Sequence, residues 1–194
     1  MADGRAAVAA GVDAIGLVFY AASSRHIEPQ QALEIARAVG PFVTVVGLFV
    51  NADAHTVHQV LDQVPLHLLQ FHGDEDEEYC AAFKRPYMKA IRMRPDLDVE
   101  AQIAAFPTAS AILLDAYRPG VPGGTGETFD WRRVPSDSDK PLVLAGGLTA
   151  DNVAQAISAT RVYGVDVSGG VESSAGVKDV NKIQAFINNA RSGA

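Results

Sequence analysis

Short runs of β-branched and aliphatic residues return along this chain at intervals of roughly 25 residues, each followed by a segment with helical spacing, and no other feature limits its fold as strongly. Seven runs have strand character: Ala14 to Phe19, Val43 to Val50, Leu66 to Gln70, Tyr87 to Ile91, Ala111 to Leu114, Leu142 to Ala145 and Tyr163 to Val167. They are apolar throughout instead of alternating in polarity, the pattern of parallel strands covered on both faces. Ala32, Ile35, Ala36 and Val39 share one helical face, as do Val180, Ile183, Phe186 and Ile187; Ala2 to Ala10 also has helical character. Asp53, Asp74, Thr149 and Asp179 stand where helix N-caps are needed, and Asp74 with Glu77 has the form of a capping box. Strand then helix, repeated, predicts an α/β fold with a parallel sheet.

Polar residues and glycines gather after nearly every strand, and no G-x-G-x-x-G follows the first. An open doubly wound sheet would concentrate such residues at its switch point, so the pattern favours a closed βα barrel. The common barrel has one more strand than the seven runs counted. The 194 residues suit one domain, 1–194, and a hydrophobic content of 48% is enough to bury its core. A formal charge of −7 gives no bulk attraction for nucleic acid or an anionic membrane, so neither partner is expected and any anionic ligand must be held locally. One cysteine excludes an internal disulfide and a cysteine-rich metal site. The apolar stretch Ala14 to Ala22 is too short to span a bilayer, and the N-terminus has no signal-peptide pattern, so a cytoplasmic location is expected.

Two glycine pairs stand where late strands end: Gly146-Gly147, and Gly169-Gly170 preceded by Ser168. Each pair alone makes a tight turn; two at consecutive late strands match the place where βα barrels hold a phosphate on backbone N–H groups. Asp115 ends a buried run at the same face. It is either a general acid, kept protonated by partial desolvation, or an aspartate that caps the following loop. Arg25 lies beyond the first strand, either as a fork for a carboxylate or as a surface arginine. Gln70 and His72 end another strand, where His72 lines a pocket or is a satisfied loop histidine. The histidines show no ligand spacing with carboxylates, His55 and His58 fall on an exposed helix, and no metal is expected. The run Asp74 to Glu78 reads as a solvated helix start, Cys80 as a small buried hydrophobe, and Gly123 to Thr128 as a lid that lacks the lysine of a Walker motif.

Taken in order, Gly11 to Phe19, Ser24-Arg25-His26-Ile27, Val46 to Asn51, Leu69 to Gly73, Leu113-Leu114-Asp115, Gly123 to Gly126 with Phe129-Asp130-Trp131, Leu144 to Leu148 and Val165 to Glu172 resemble phosphoribosylanthranilate isomerases of tryptophan biosynthesis. The likeness runs nearly end to end. It implies an eight-stranded (β/α)8 TIM barrel that performs a cofactor-free and metal-free Amadori rearrangement; whether it acts as monomer or homodimer is left open by the sequence. The substrate is a small phosphorylated molecule, N-(5′-phosphoribosyl)anthranilate, and the product 1-(2-carboxyphenylamino)-1-deoxyribulose 5-phosphate. By the same resemblance Asp115 is the general acid that opens the ribose ring, and Arg25 binds the anthranilate carboxylate. The resemblance also makes Gly146, Gly147, Ser168, Gly169 and Gly170 the phosphate cradle, and from their place at a strand end Gln70 and His72 are expected to contact the substrate.

The family opens with a strand ending in a Lys-Ile-Cys-Gly-type motif whose cysteine is the general base. No such motif occurs in this sequence, and its cysteine, Cys80, lies elsewhere. The expectation is therefore a barrel with the first strand missing, two open strand edges, poor stability and little activity. Other phosphate-binding barrels fit less well: an indole-glycerol-phosphate synthase calls for a lysine acid and a ribulose-phosphate epimerase for metal ligands. A non-catalytic barrel that retains only the phosphate cradle is the alternative from another class.

Overall fold

The computed structural model describes residues 1–117 and 128–193. One parallel sheet holds β1 (Ala14–Val18), β2 (Thr44–Phe49), β3 (Leu68–Phe71), β4 (Tyr87–Arg92), β5 (Ala111–Asp115), β6 (Leu142–Leu144) and β7 (Gly164–Val165), adjacent in space in their chain order. The helices are α1 (Ala2–Ala10), α2 (Pro29–Ala38), α3 (Ala54–Gln63), α4 (Glu77–Ala82), α5 (Val99–Ala104), α6 (Val153–Thr160) and α7 (Val180–Ser192). Each of the seven expected runs is a strand, with its ends moved by no more than two residues. A short antiparallel hairpin, β8 (Glu172–Ser174) with β9 (Val177–Lys178), precedes α7 and was not legible in the alternation. The glycine-rich segment expected to form a lid lies almost wholly outside the described residues.

Alternation of side chains explains why the strands read as continuous apolar runs. In β5, Ile112 and Leu114 pack into the helix-side core with Leu69, Phe71 and Ile91, whereas Leu113 joins Met88, Ala90 and Ala145 on the other face. The same rule puts Asp115, two residues beyond Leu113, on the face away from the helices. On the helix side, Phe19, Phe49 and Phe71 form a row with ring centroids 5.3 Å and 6.3 Å apart, and Phe71 continues to Phe83 at 5.6 Å. Aromatic packing of this kind fixes the C-terminal ends of β2 and β3, from which functional side chains depart.

Asp53 caps α3 by accepting from Thr56 N at 2.8 Å, and Asp179 caps α7, as expected. Two caps are corrected. Asp76, not Asp74, caps α4, and Asn152, not Thr149, stands at the start of α6. Asp74 is free of the helix because it pairs with Arg92 at the end of β4. The acidic run is solvated only in part: Asp74, Asp76 and Glu78 are exposed, but Glu75 is buried, and Glu77 accepts from Thr108 Oγ1 at 2.6 Å and from the Tyr87 hydroxyl. No described helix is long and apolar enough to cross a membrane.

β1 and β7 are the two ends of the sheet, and among the described residues no ladder joins them. The helix layer nevertheless continues across that gap. Helix α1 packs against both α7 and α2, and Arg191 Nη2 donates to Gly11 O at 2.8 Å. Ala14 and Gly16, on the β1 face opposite the buried Leu17, are exposed, whereas β5 in mid-sheet is buried along almost its whole length.

Candidate active site

Every strand of a parallel sheet points its C-terminal end the same way, so residues that follow the strands are gathered at one rim. Asp115 lies there, 3% exposed, at the tip of β5. His72 Nε2 is 3.0 Å from Asp115 Oδ2, and Gln70 Nε2 is 3.0 Å from His72 Nδ1. When the Gln70 amide donates to Nδ1, the ring proton resides on Nε2 and is donated to Asp115. Gln70 and His72 are both buried and stand two residues apart on one face, which is why a chain of three side chains can run along the rim. The sequence left His72 open between a pocket residue and a satisfied loop histidine; the geometry makes it the partner of Asp115.

Oδ1 of Asp115 faces the first glycine pair. Gly146 (φ 81°) and Gly147 (φ 64°) both lie in left-handed conformations, and a Cβ on Gly146 would meet Ala116 N and Cβ and stand 2.9 Å from Asp115 Oδ1. Backbone conformation and close approach together require glycine at this position. The second pair is packed against the first: a Cβ on Gly170 would run into Leu148 O. Asn152 holds the first turn, donating Nδ2 to Gly147 O at 2.9 Å and accepting from Thr149 N at 2.8 Å. Ser168, Gly169 and Gly170 lead from the end of β7 into one turn of 3₁₀ helix, Gly169–Val171. The two predicted cradle segments are thus brought side by side, next to Asp115.

Arg25 reaches the same rim from the loop after β1, and it is not a lone surface arginine. Its Nε and Nη2 donate to Glu172 Oε1 and Oε2 at 2.6 Å and 2.7 Å. Lys178 Nζ donates to Glu172 Oε1 at 3.0 Å and to Ser168 O at 2.9 Å. Desolvation pushes the Glu172 carboxyl up, but the hydrogen bonds from Arg25 and Lys178, with their charges, overcome it and hold the group down at about 2. A carboxyl whose pKa is depressed on folding contributes stability above its unfolded value, near 4.3, and loses it as pH falls toward about 2. Urea midpoints should therefore fall across that window in the parent chain, and the fall should be shallower in Glu172→Gln; parallel curves would contradict the assignment.

Sequence inspection missed Glu172, Lys178 and Asp166 as members of this rim. Asp166 alternates with Val165 and Val167, which pack on the helix side, and so lies on the opposite face, where it is exposed. Protein surrounds it elsewhere: desolvation raises its pKa, the Asp115 charge adds to the rise, and His72 and Lys178 oppose it. The available signal was the spacing of Asp166, Ser168 and Glu172 about one glycine pair, which does not by itself say which way a side chain points. Cys80 belongs to α4 itself and packs into the helix-side core rather than toward the rim, and burial pushes its thiol up to about 12.

Residues 1–189 match the profile of the family described as N-(5'phosphoribosyl)anthranilate (PRA) isomerase. The chain is 68% identical over 187 residues to N-(5'-phosphoribosyl)anthranilate isomerase of Cellvibrio japonicus, covering 96% of this chain and 87% of that one. It is 58% identical over 190 residues to the Pseudomonas aeruginosa protein of the same name, covering 98% and 90%. Among solved structures, phosphoribosyl anthranilate isomerase from Thermotoga maritima superposes with a TM-score of 0.90 at 39% identity, over 98% of this chain and 93% of that one. A phosphoribosyl anthranilate isomerase solved in complex with reduced 1-(o-carboxyphenylamino)-1-deoxyribulose 5-phosphate superposes with a TM-score of 0.83 at 36% identity, with the same coverages. A parallel α/β sheet with its rim built from Asp115, Arg25 and two glycine pairs, matched over nearly its whole length, places this chain in the N-(5'-phosphoribosyl)anthranilate isomerase family.

Proposed function

We propose that this chain performs the isomerisation of N-(5′-phosphoribosyl)anthranilate in tryptophan biosynthesis, with Asp115 as the proton donor. The observation that carries the assignment of roles is the buried Asp115 carboxyl. One oxygen is held by His72 and the other is turned toward the Gly146-Gly147 turn. His72 Nε2 donates to Oδ2, which leaves Oδ1, on the side where substrate would lie, as the oxygen from which a proton can be given. Asp115 gives that proton to the ribose ring oxygen; the C1–O bond breaks as the anilino nitrogen lone pair forms a C1=N bond. Removal of the C2 proton by a base then gives an enolamine, which tautomerises to the aminoketose. Positive charge from Arg25 would meet the anthranilate carboxylate. The backbone of Gly146, Gly147, Ser168, Gly169 and Gly170 would cradle the 5′-phosphate.

Cys80, part of α4 and buried in the helix-side core, is no candidate for the base. We assign it to a strand inserted between β7 and β1, completing an eight-stranded barrel and carrying the cysteine of a Lys-Ile-Cys-Gly-type motif. What supports this is the mismatch between layers: helices α7, α1 and α2 are in contact across a place where strands are not. The test is turnover by this chain beside a form extended upstream with such a strand. Turnover should rise by about 10² to 10⁴ in the extended form, the usual contribution of a positioned base. Equal turnover in the short form would overturn the base assignment, and turnover in neither would favour a barrel that binds the phosphorylated ligand without converting it.

A further inference from the structure

Glu172 is buried to 8% exposure, yet it bonds to two cationic side chains from different parts of the chain. The way it takes Arg25 is informative. A guanidinium has two edges able to form paired bonds: the side edge, Nε with Nη2, and the end edge, Nη1 with Nη2. Glu172 accepts from Nε and Nη2, so it consumes the side edge completely. None of the hydrogen bonds among the described residues uses Nη1, and the Arg25 side chain retains 24% of its exposure. The end edge, with two parallel N–H donors, is thereby the one that Glu172 leaves for another carboxylate.

The carboxylate is itself fixed from behind. Lys182 Nζ donates to the Glu172 carbonyl at 2.7 Å, and Lys178 bridges the Glu172 carboxylate and Ser168 O. Beyond Glu172 the hairpin turn lies close to the Arg25 loop: a Cβ on Gly176 would be 2.9 Å from Ser24 O. One carboxylate therefore joins the Arg25 loop to the Ser168 segment.

We propose that Glu172 is a positioning residue that aims the Nη1/Nη2 edge of Arg25 at the substrate carboxylate and, through Lys178, sets its distance from the phosphate cradle. The proposal rests on the assignment of Arg25 to the anthranilate carboxylate. Its signature is selectivity: loss of Glu172 should weaken recognition of the carboxylate and leave the rest of the ligand bound as before. A merely structural glutamate would weaken every ligand equally.

The probes are reduced 1-(o-carboxyphenylamino)-1-deoxyribulose 5-phosphate and its phenylamino counterpart without the carboxyl group, titrated calorimetrically. In Glu172→Gln the affinity for the first should fall about 10- to 100-fold, the value of a charge-assisted bidentate contact, and that for the second should stay within about twofold. Glu172→Asp, which retains the charge, should recover part of the loss. Arg25→Lys cannot offer two edges, so adding Glu172→Gln to it should cause no further selective loss. Equal loss for both probes, or none for either, in Glu172→Gln and Glu172→Asp overturns the positioning role. Should Arg25→Ala itself spare the preference for the carboxylated probe, the Arg25 assignment falls and the proposal with it. Selective loss in Arg25→Ala but not in the Glu172 variants would overturn the Glu172 proposal alone.

Discussion

Asp115→Asn, made in a form extended upstream with the proposed closing strand, is expected to lower kcat by about 10² to 10⁴ while KM changes no more than a few-fold. The substitution keeps the shape of the side chain. Its carbonyl oxygen can accept from His72 Nε2 in place of Oδ2, and its amide then occupies the side near Gly146, where it can still donate a hydrogen bond. What the amide cannot do is release a proton to the ribose ring oxygen. Binding groups on other loops are untouched, which is why the loss should fall on kcat. Steady-state kinetics check the prediction, with thermal melting as a control on folding. An unaltered kcat would remove Asp115 from the chemistry, and a rise in KM alone would make it a binding residue.

The α/β class was legible because it depends on hydrophobic period, which a parallel sheet with two covered faces prints directly into the sequence, and the strand order because polar residues and glycines follow nearly every strand instead of gathering at one switch point. Asp115 was legible for a related reason: an acid directly after Ile112-Leu113-Leu114 has to stand at a strand end. The partnerships were not legible. That Arg25 meets Glu172, 147 residues away, follows from the way α1 packs against both α7 and α2 and brings the two ends of the sheet together, and no local pattern carries that information. The misplaced cap at Asp74 has the same origin. Locally Asp74 with Glu77 looks like a capping box, but Arg92 from β4 competes for Asp74 and the neighbouring Asp76 takes the helix. Glu75 and Glu77 were taken for a solvated face because their partners, Lys89, Tyr87 and Thr108, come from the next strand and the loop before β5.

Lys89 and Glu75 carry the largest expected effect on stability. Lys89 sits in the middle of β4, in a run that otherwise reads as apolar, and it is 4% exposed. Its ammonium donates to Gly73 O at 2.7 Å, Glu75 Oε2 at 2.9 Å and Phe71 O at 3.3 Å, so each of its three protons has an acceptor. Glu75 in turn accepts from Asn51 N at 2.7 Å and Gly73 N at 2.8 Å. The pair thus grips the backbone on both sides of His72, the residue that holds Asp115. Because the penalty for removing two charges from water is already offset by this full set of bonds, breaking one half costs more than the pair contributes as a whole. Lys89→Met should destabilise the chain by about 3–5 kcal/mol, leaving a buried carboxylate with no counter-charge. Combining it with Glu75→Gln should cost clearly less than the sum of the two single changes, since the amide leaves no charge stranded; the two sites share bonds, so a coupling of about 0.5–3 kcal/mol is expected. Urea unfolding of the four proteins measures the cycle. A cost below about 1 kcal/mol for Lys89→Met, or simple additivity, would mean that water reaches Glu75 and that the rim at His72 is held by packing alone.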